Sequence, residues 1–452
     1  MAITIRQNAD TPNLGNNRLV YAVTSNSSSN AQYRYVLDIL DKDDNLLQRI
    51  KQQPNPNDTG IFDIGQIVTN YLGPTDEVWT TFLPEANTNV GKDLKIRFGE
   101  EWASSPTSSA ILYVGSEDIA GAPSVSSSVY NFIIDGVQDP NTPGFDWDYS
   151  TKYDEESTDG LTSFTHQNGL TAFDTSKVRR GDYQTISFLR GNARGTGSAA
   201  VDNGYAQDVY AATYRQYSSD GTLLDTDTLI DTFSGLRTLS TQLWDDVYTS
   251  QDENTRLVHW PVGPQNIEDA GVAILSPDCG YYTVTFYNQT QEPGINTNGV
   301  WGEYTFTLCP AACDFPGTRF AWKNEYGVWD YFNFNLADST TSNVQRESYE
   351  QNFVNYSGTN TSPYSAQRRG ITQFQNKISQ AKTAESDYLT QTEADNLREL
   401  FYSTNVYVQD GSTFYPVVIE NASVTEKTNP RSQKLFRYTV NYRYANQPQA
   451  RV

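Results

Sequence analysis

Phe320-Ala321-Trp322-Lys323-Asn324-Glu325-Tyr326-Gly327-Val328-Trp329-Asp330-Tyr331-Phe332-Asn333-Phe334 is the stretch on which the fold turns. Aromatic side chains suit a pleated surface, and glycine suits a turn that needs positive φ. The stretch therefore predicts two short strands joined by a tight turn at Tyr326-Gly327. Such a hairpin offers a broad, rigid surface and little acid–base chemistry. It points to a β-rich assembly or binding protein rather than an enzyme.

Working outward, alternation with period two dominates. Tyr33–Leu40 reads as a strand, Asp41-Lys42-Asp43-Asp44-Asn45 as turn chemistry, and Leu46–Ile50 as the return strand. The same style recurs downstream in Ala212–Tyr217, Ser218–Gly221 and Thr222–Asp227, each time with a Leu-Leu pair early in the return strand. Two similar antiparallel sandwiches are one explanation, and a shared hairpin style without common origin is the other. Further strands are predicted at Leu94–Phe98, Ala110–Val114, Thr185–Leu189, Tyr281–Tyr287, Tyr304–Leu308, Val406–Val408, Tyr415–Glu420 and Phe436–Tyr444. Short helical spacing runs through Phe62–Leu72. Thr390 and Glu393 have capping-box spacing ahead of Leu397, Leu400 and Phe401, which predicts a helix over Thr390–Tyr402. Residues 139–160, rich in Asp, Pro, Gly and Ser, read as a linker or long loop. The expected fold class is mainly β: tandem antiparallel β-sandwiches of immunoglobulin or fibronectin type, followed by a C-terminal α+β domain. The expected domains are 1–137, 138–310 and 311–452.

Composition agrees with several folded domains. The chain has 452 residues, of which 37% are hydrophobic and 13% aromatic, with 30 Tyr, 20 Phe and 8 Trp. Disordered chains lack aromatics, and tyrosine serves thin sandwiches and interfaces, where one end of the ring is buried and the other wet. Net charge is −22. Residues 340–452 hold 12 Lys or Arg and 10 Asp or Glu, leaving +2, so residues 1–339 carry −24. A surface that acidic repels phosphate backbones, which argues against nucleic-acid binding. The acidic part is either a solvated face or one turned to water while the near-neutral C-terminal part docks into an assembly. No apolar h-region opens the chain and no run has the length of a membrane span, so synthesis in a cytoplasm without standard export is expected. Cys279, Cys309 and Cys313 are too few for a disulfide framework.

Catalytic and metal-binding patterns are sparse. His166 sits in a polar stretch, and His259 in the apolar Val258-His259-Trp260-Pro261 reads as a packed or capping residue rather than a member of a catalytic triad. Cys309 and Cys313 with Cys279 and His259 supply four zinc-ligand types, but at a spacing looser than a zinc knuckle; a local disulfide or plain thiols are the alternatives. Asp41, Asp43 and Asp44, and likewise Asp146, Asp148, Asp154, Glu155 and Glu156, are acidic clusters that do not match a calcium loop. Arg180-Gly181-Asp182 reads as a turn ahead of a strand. No cofactor and no metal is expected.

Three segments together resemble virion structural proteins of tailed bacteriophages: Gly60–Leu72 with Lys95–Trp102, the hairpin Phe320–Phe334, and the C-terminal helix followed by Tyr415–Ile419 and Tyr438–Tyr444. The likeness is to tail, neck or baseplate components of Bacteroidetes-type, crAss-like and marine phages, and covers roughly the first 100 and last 140 residues. Cys309 and Cys313 lie further apart than that pattern leads one to expect. The resemblance implies a non-enzymatic β-rich protein present in several copies in the virion, assembled in the host cytoplasm. Its partners would be other virion proteins and copies of itself, without specific nucleic acid or membrane insertion. Trp322, Tyr326, Trp329, Tyr331, Phe332, Tyr438 and Tyr442 are the candidate interface residues; the competing reading puts the same rings in the domain's own core. A host-attachment or carbohydrate-binding protein, with exposed Trp and Tyr stacking on host glycans, is the alternative function. A glycoside hydrolase finds no local support.

Overall fold

The computed structural model describes residues 3–9, 13–41, 44–73, 79–80, 85–86, 91–103, 105, 111–114, 128–134, 136, 171, 173–189, 209–230, 257–271, 275–288, 300–309, 317–336, 338–350, 370–421 and 437–446. They are mainly β. The chain forms two compact units: Met1–Cys309 with Lys323–Asp330, and Pro310–Trp322 with Tyr331–Val452.

The first unit opens with β1 (Ile3–Gln7), β2 (Asn13–Leu14), β3 (Val20–Ser25), β4 (Arg34–Leu40), β5 (Leu46–Gln52) and β6 (Thr59–Asp63). After helix α1 (Gly65–Val68) come β7 (Glu85–Ala86), β8 (Gly91–Ala103), β9 (Ile111–Val114) and β10 (Ser128–Ile134). One sheet runs β1-β3-β6; the facing sheet runs β2-β10-β8-β4-β5, with β9 on β8. Helical spacing over Phe62–Leu72 is corrected here: Phe62 and Asp63 close β6, and the helix starts only at Gly65. The hydrogen bond from Ile64 N to Leu19 O at 3.0 Å keeps the chain on its sheet to that point.

The second sandwich follows the same plan. It contains β11 (Thr175–Val178), β12 (Thr185–Leu189), β13 (Val209–Ser218), β14 (Leu223–Ile230), β15 (Leu257–Pro261), α2 (Pro264–Asp269), β16 (Cys279–Asn288) and β17 (Val300–Leu308). Its larger sheet runs β11-β17-β16-β13-β14. In both sandwiches a leading strand pairs parallel with the last strand, β2 with β10 and β11 with β17, while the other described pairings are antiparallel. In both, a short helix follows the strand that pairs with β3 or β12. The order is immunoglobulin-like. The two hairpins of similar sequence, β4–β5 and β13–β14, occupy corresponding places, so their likeness is topological. The smaller sheet of the second sandwich, β12-β15-β7, borrows β7 from the first. Asn266 ties the same segment down, with Nδ2 donating to Trp79 O at 2.7 Å while Oδ1 accepts from Gln184 N at 2.7 Å.

Buried tyrosines fasten facing sheets together. Tyr214 on β13 donates to Pro261 O at 2.7 Å and accepts from Trp260 Nε1 at 3.0 Å. Tyr282 on β16 donates to Val262 O at 2.7 Å. In the first sandwich Tyr35 on β4 accepts from Ser25 N at 3.0 Å and donates to Asp58 O at 2.7 Å. Each ring lies in the core while its hydroxyl satisfies backbone groups on or beside the opposite sheet.

The second unit contains β18 (Thr318–Lys323), β19 (Trp329–Phe334), β20 (Ser339–Glu350), β21 (Ile371–Glu385), α3 (Gln391–Asn396), α4 (Arg398–Tyr402), β22 (Val406–Asp410), β23 (Thr413–Ile419) and β24 (Thr439–Tyr444). The tip of its first hairpin, Lys323–Asp330, clusters with the first unit. The hairpin forms as its sequence predicts. Gly327 takes φ +77°, Asn324 N donates to Val328 O at 2.8 Å, and Asn324 Oδ1 accepts from Tyr326 N and Val328 N at 3.0 and 3.2 Å. The capping box at Thr390 and Glu393 also forms. The expected single helix over Thr390–Tyr402 instead breaks into α3 and α4 at Leu397, where Leu400 N turns to Leu397 O at 3.2 Å. That tighter turn lets Leu397 and Leu400 both bury.

The sheet order is β19-β18-β22-β23-β24-β21-β20. β19 and β20 are its two ends, yet Phe334 and Ser339 are five Cα steps apart in sequence. Five steps reach about 17 Å, whereas six strand spacings on a flat sheet need about 29 Å. The sheet is therefore strongly curled, and Phe320 on β18 meets Tyr442 on β24 across its inside, centroids 5.1 Å apart. Only Lys382–Glu385 of β21 pair with β24. Among the described residues, 371–381 pair with β20 alone, so the two strands run out of the sheet as a ribbon. All of β20 is exposed.

Two measurements check these ties. Tyr214→Phe removes one hydroxyl and leaves Trp260 Nε1 and Pro261 O to find other partners, and should lower unfolding stability by about 1–3 kcal/mol in a denaturant titration. Burial, more than any other cause, pushes Tyr442 up from 10 to about 12. Its contribution is fully present below pH 10 and lost as pH rises towards 12, so Tyr442→Phe should flatten the fall in stability across that window.

Candidate assembly surface

Four of the seven candidate interface rings are core residues. Trp322 and Tyr442 are 0% and 1% exposed, and Trp329 and Tyr331 3% and 2%. They cannot meet a second molecule; the hairpin's aromatic density fills interior. Trp329 packs edge-on against Trp79 at 4.8 Å within the first unit, and Tyr331 lies under the Arg319 guanidinium at 5.3 Å. Tyr326, Phe332 and Tyr438 are half-buried. Phe332 contacts Phe334 at 5.6 Å, and Tyr438 contacts Phe401 at 5.6 Å.

Sequence reasoning missed the exposed apolar surface of the second unit. The ribbon carries Val344, Tyr349, Ile371 and Phe374, all exposed, with Tyr349 and Phe374 in ring contact at 6.0 Å. Val344 lies opposite Ile378, and a bulge sits between Glu347 and Ser348. Near the ribbon's root, Tyr415 on β23 contacts Tyr444 on β24 at 5.9 Å. The Lys382 ammonium sits over the Tyr444 ring at 4.8 Å and donates to its hydroxyl at 3.3 Å. These groups form an ordered strip across β23, β24 and β21. The only sequence signal for the ribbon was its polar monotony, since Ser339–Glu350 alternates no apolar face.

Elsewhere, polar groups serve the fold. Ser187 Oγ and His259 Nδ1 are 2.6 Å apart on paired strands, but both residues are buried, so the contact is a cross-strand tie. Among the described residues no three His, Cys, Asp or Glu side chains gather as metal ligands. Cys279 is buried, which pushes its thiol pKa up, and its Sγ contacts Tyr281 O at 3.3 Å. Cys313, His166 and the acidic run 146–156 lie outside the described residues. Asp41 accepts from Asn45 N at 2.8 Å and Asp44 pairs with Lys95 at 2.6 Å, which is turn chemistry. In Arg180-Gly181-Asp182, the buried Asp182 accepts from Arg179 N at 2.7 Å and Arg180 holds Leu275 O at 2.8 Å, again a turn. Among the described residues no helix is long and apolar enough to cross a membrane.

The described buried carboxylates of the first sandwich are all engaged. Glu100 accepts from Tyr33 Oη at 2.7 Å and Glu101 pairs with Lys51 at 2.6 Å. Asp38, 1% exposed, lies between its strand partners Arg49 and Arg97 at 2.6 and 3.2 Å.

No protein-family model matches the chain, and no curated protein does. Among solved structures, a cryo-EM reconstruction of the native conformation of E. coli alpha-2-macroglobulin is similar over 97% of this chain at 11% identity and a TM-score of 0.18. The chain spans 22% of that protein's length. A likeness that weak fixes neither fold nor role.

The Asp38 triad makes the sharpest test of these charges. Asp38→Ala strands two arginines and should cost about 3–5 kcal/mol, while Arg49→Ala, removing the more exposed partner, should cost clearly less in the same unfolding titration.

Proposed function

We propose that this chain is a structural component of a tailed-bacteriophage virion, in a tail, neck ring or baseplate, that acts by protein–protein assembly without turning over a substrate. The observation that carries this reading is the β20–β21 ribbon. A two-stranded hairpin alone in water is marginal and gains independent stability when it is covered. This one extends residues 371–381 past the sheet with, among the described residues, no strand partner but β20, about 35 Å of ribbon. It leaves Ile371 72% and Phe374 49% exposed. Covering apolar surface returns about 25 cal/mol per Å2 before ordering costs. The resemblance of the hairpin and the C-terminal segments to phage virion proteins supplies the setting: partners would be other virion proteins and further copies, at work in the virion.

The alternative, host attachment through glycans, draws on exposed Tyr388 and Tyr402, each 61% exposed. It loses its best stacking groups, because the tryptophans with described side chains, Trp79, Trp102, Trp260, Trp322 and Trp329, are all buried. Mass photometry and electron microscopy of the purified chain should show symmetric multi-copy particles. A strict monomer at high concentration, or glycan-array binding abolished by Tyr402→Ala, would favour the alternative.

A further inference from the structure

We infer that the hairpin tip Lys323–Asp330 is a lock on the seam between the two sandwiches of the first unit. Seated, it holds them as one body, while the strands that carry it, β18 and β19, otherwise belong to the second unit. The lock works within a single chain and needs no assembly.

The tip touches three separate pieces of the first unit. At the first sandwich it meets Gly136, just past β10, backbone to backbone. A Cβ there would lie 2.3 Å from Glu325 O and 2.9 Å from both the Tyr326 carbonyl carbon and Leu14 Cδ2, so only glycine leaves room. Gly136 O in turn accepts from Asn16 N at 3.0 Å, which ties the contact to the ends of the paired strands β2 and β10. At the seam, Trp329 packs edge-on against Trp79 at 4.8 Å, and Trp79 O is the acceptor for the buried Asn266 of α2. At the second sandwich, the buried Asp330 accepts from Thr171 Oγ1 with one oxygen and from Asn324 Nδ2 at 3.0 Å with the other. Thr171 Oγ1 also accepts from Phe173 N at 3.2 Å, and Asp174 O accepts from Thr305 N at 2.9 Å, so this anchor leads onto β11 and β17.

The other described ties across the seam are small. β7 gives β15 two residue pairs, Ala86 with Val258 and Glu85 with His259, and Asn266 adds its bond to Trp79 O. Two pairs fall short of the roughly 3–10 residues of an ordinary strand. To the same place the tip brings a close backbone contact, an aromatic pair and hydrogen bonds to a buried carboxylate, which are the stronger class. Because β18 and β19 run directly out of the tip, a displacement of either strand moves it, and the seam loosens with it.

Three full-length variants approach the lock from its three sides. Gly136→Ala pushes on Glu325 O from the first sandwich, Thr171→Val removes the hydroxyl on the second, and Trp329→Ala removes the indole from the tip. Hydrogen exchange followed by mass spectrometry should show each variant loosening pieces it does not touch, by about tenfold in rate. For Gly136→Ala these are Phe173–Val178 with Val258 and His259; for Thr171→Val, Asn16 with the same seam pair; for Trp329→Ala, Asn16 and Phe173–Val178. The core strands β4 and β13 should keep their wild-type protection. Gly136→Ala and Thr171→Val leave the tip's own sequence intact, so they decide the matter even where Trp329→Ala unfolds the hairpin. Exchange raised only beside each substitution overturns the inference. A uniform rise through β4 and β13 in both variants overturns it too, because the tip would then be part of the cores rather than a lock between them.

Discussion

The first unit depends on tyrosines that cross a sandwich and end in a hydrogen bond to backbone. Facing sheets lie about 10 Å apart, a gap that a phenol ring fills while its hydroxyl reaches the far wall. Tyr214, Tyr282 and Tyr35 each do this, and Trp260 adds its indole N–H to the same network. An aliphatic core of the same volume would leave Pro261 O, Val262 O and Asp58 O to find other donors. The bond also fixes the lateral position of one sheet over the other, which apolar contact alone does not. A chain with 30 tyrosines and a modest hydrophobic fraction can thus build two specific cores.

On that base the two sandwiches repeat one topology, and the second is completed by material from the first. β7 joins β15, and Asn266 holds both Trp79 O and Gln184 N. Both side-chain groups of a buried asparagine are used, so the segment is specified by polar satisfaction as well as by burial. Asp38 shows the same economy on the outer side of β4: the strand is buried on both faces, and Arg49 and Arg97 on the neighbouring strands neutralise the carboxylate.

The second unit solves a different problem. Its sheet curls because a short connection joins its two ends, and the curl creates an interior for Phe320, Phe334 and Tyr442. What the curl cannot enclose is the far part of β20 and β21. The unit therefore has an inside that consumes most of the aromatic hairpin and an outside arm that consumes almost none of it.

Local chemistry was legible in the chain. Gly327 required its positive φ, Thr390 and Glu393 their reciprocal cap, and the β4–β5 and β13–β14 hairpins their acidic turns. Alternation likewise put Val440 and Tyr442 on one face of β24, which the fold then buried. Periodicity tells which residues share a face, not what covers that face. Whether Trp322 or Trp329 looked inward or outward was therefore decided only when other strands closed over them, and the same holds for the desertion of β7 to a neighbouring sandwich. The ribbon escaped for the opposite reason: a strand wet on both faces carries no apolar rhythm, and only the long-range pairing of Ser339–Glu350 with residues 371–383 makes it one.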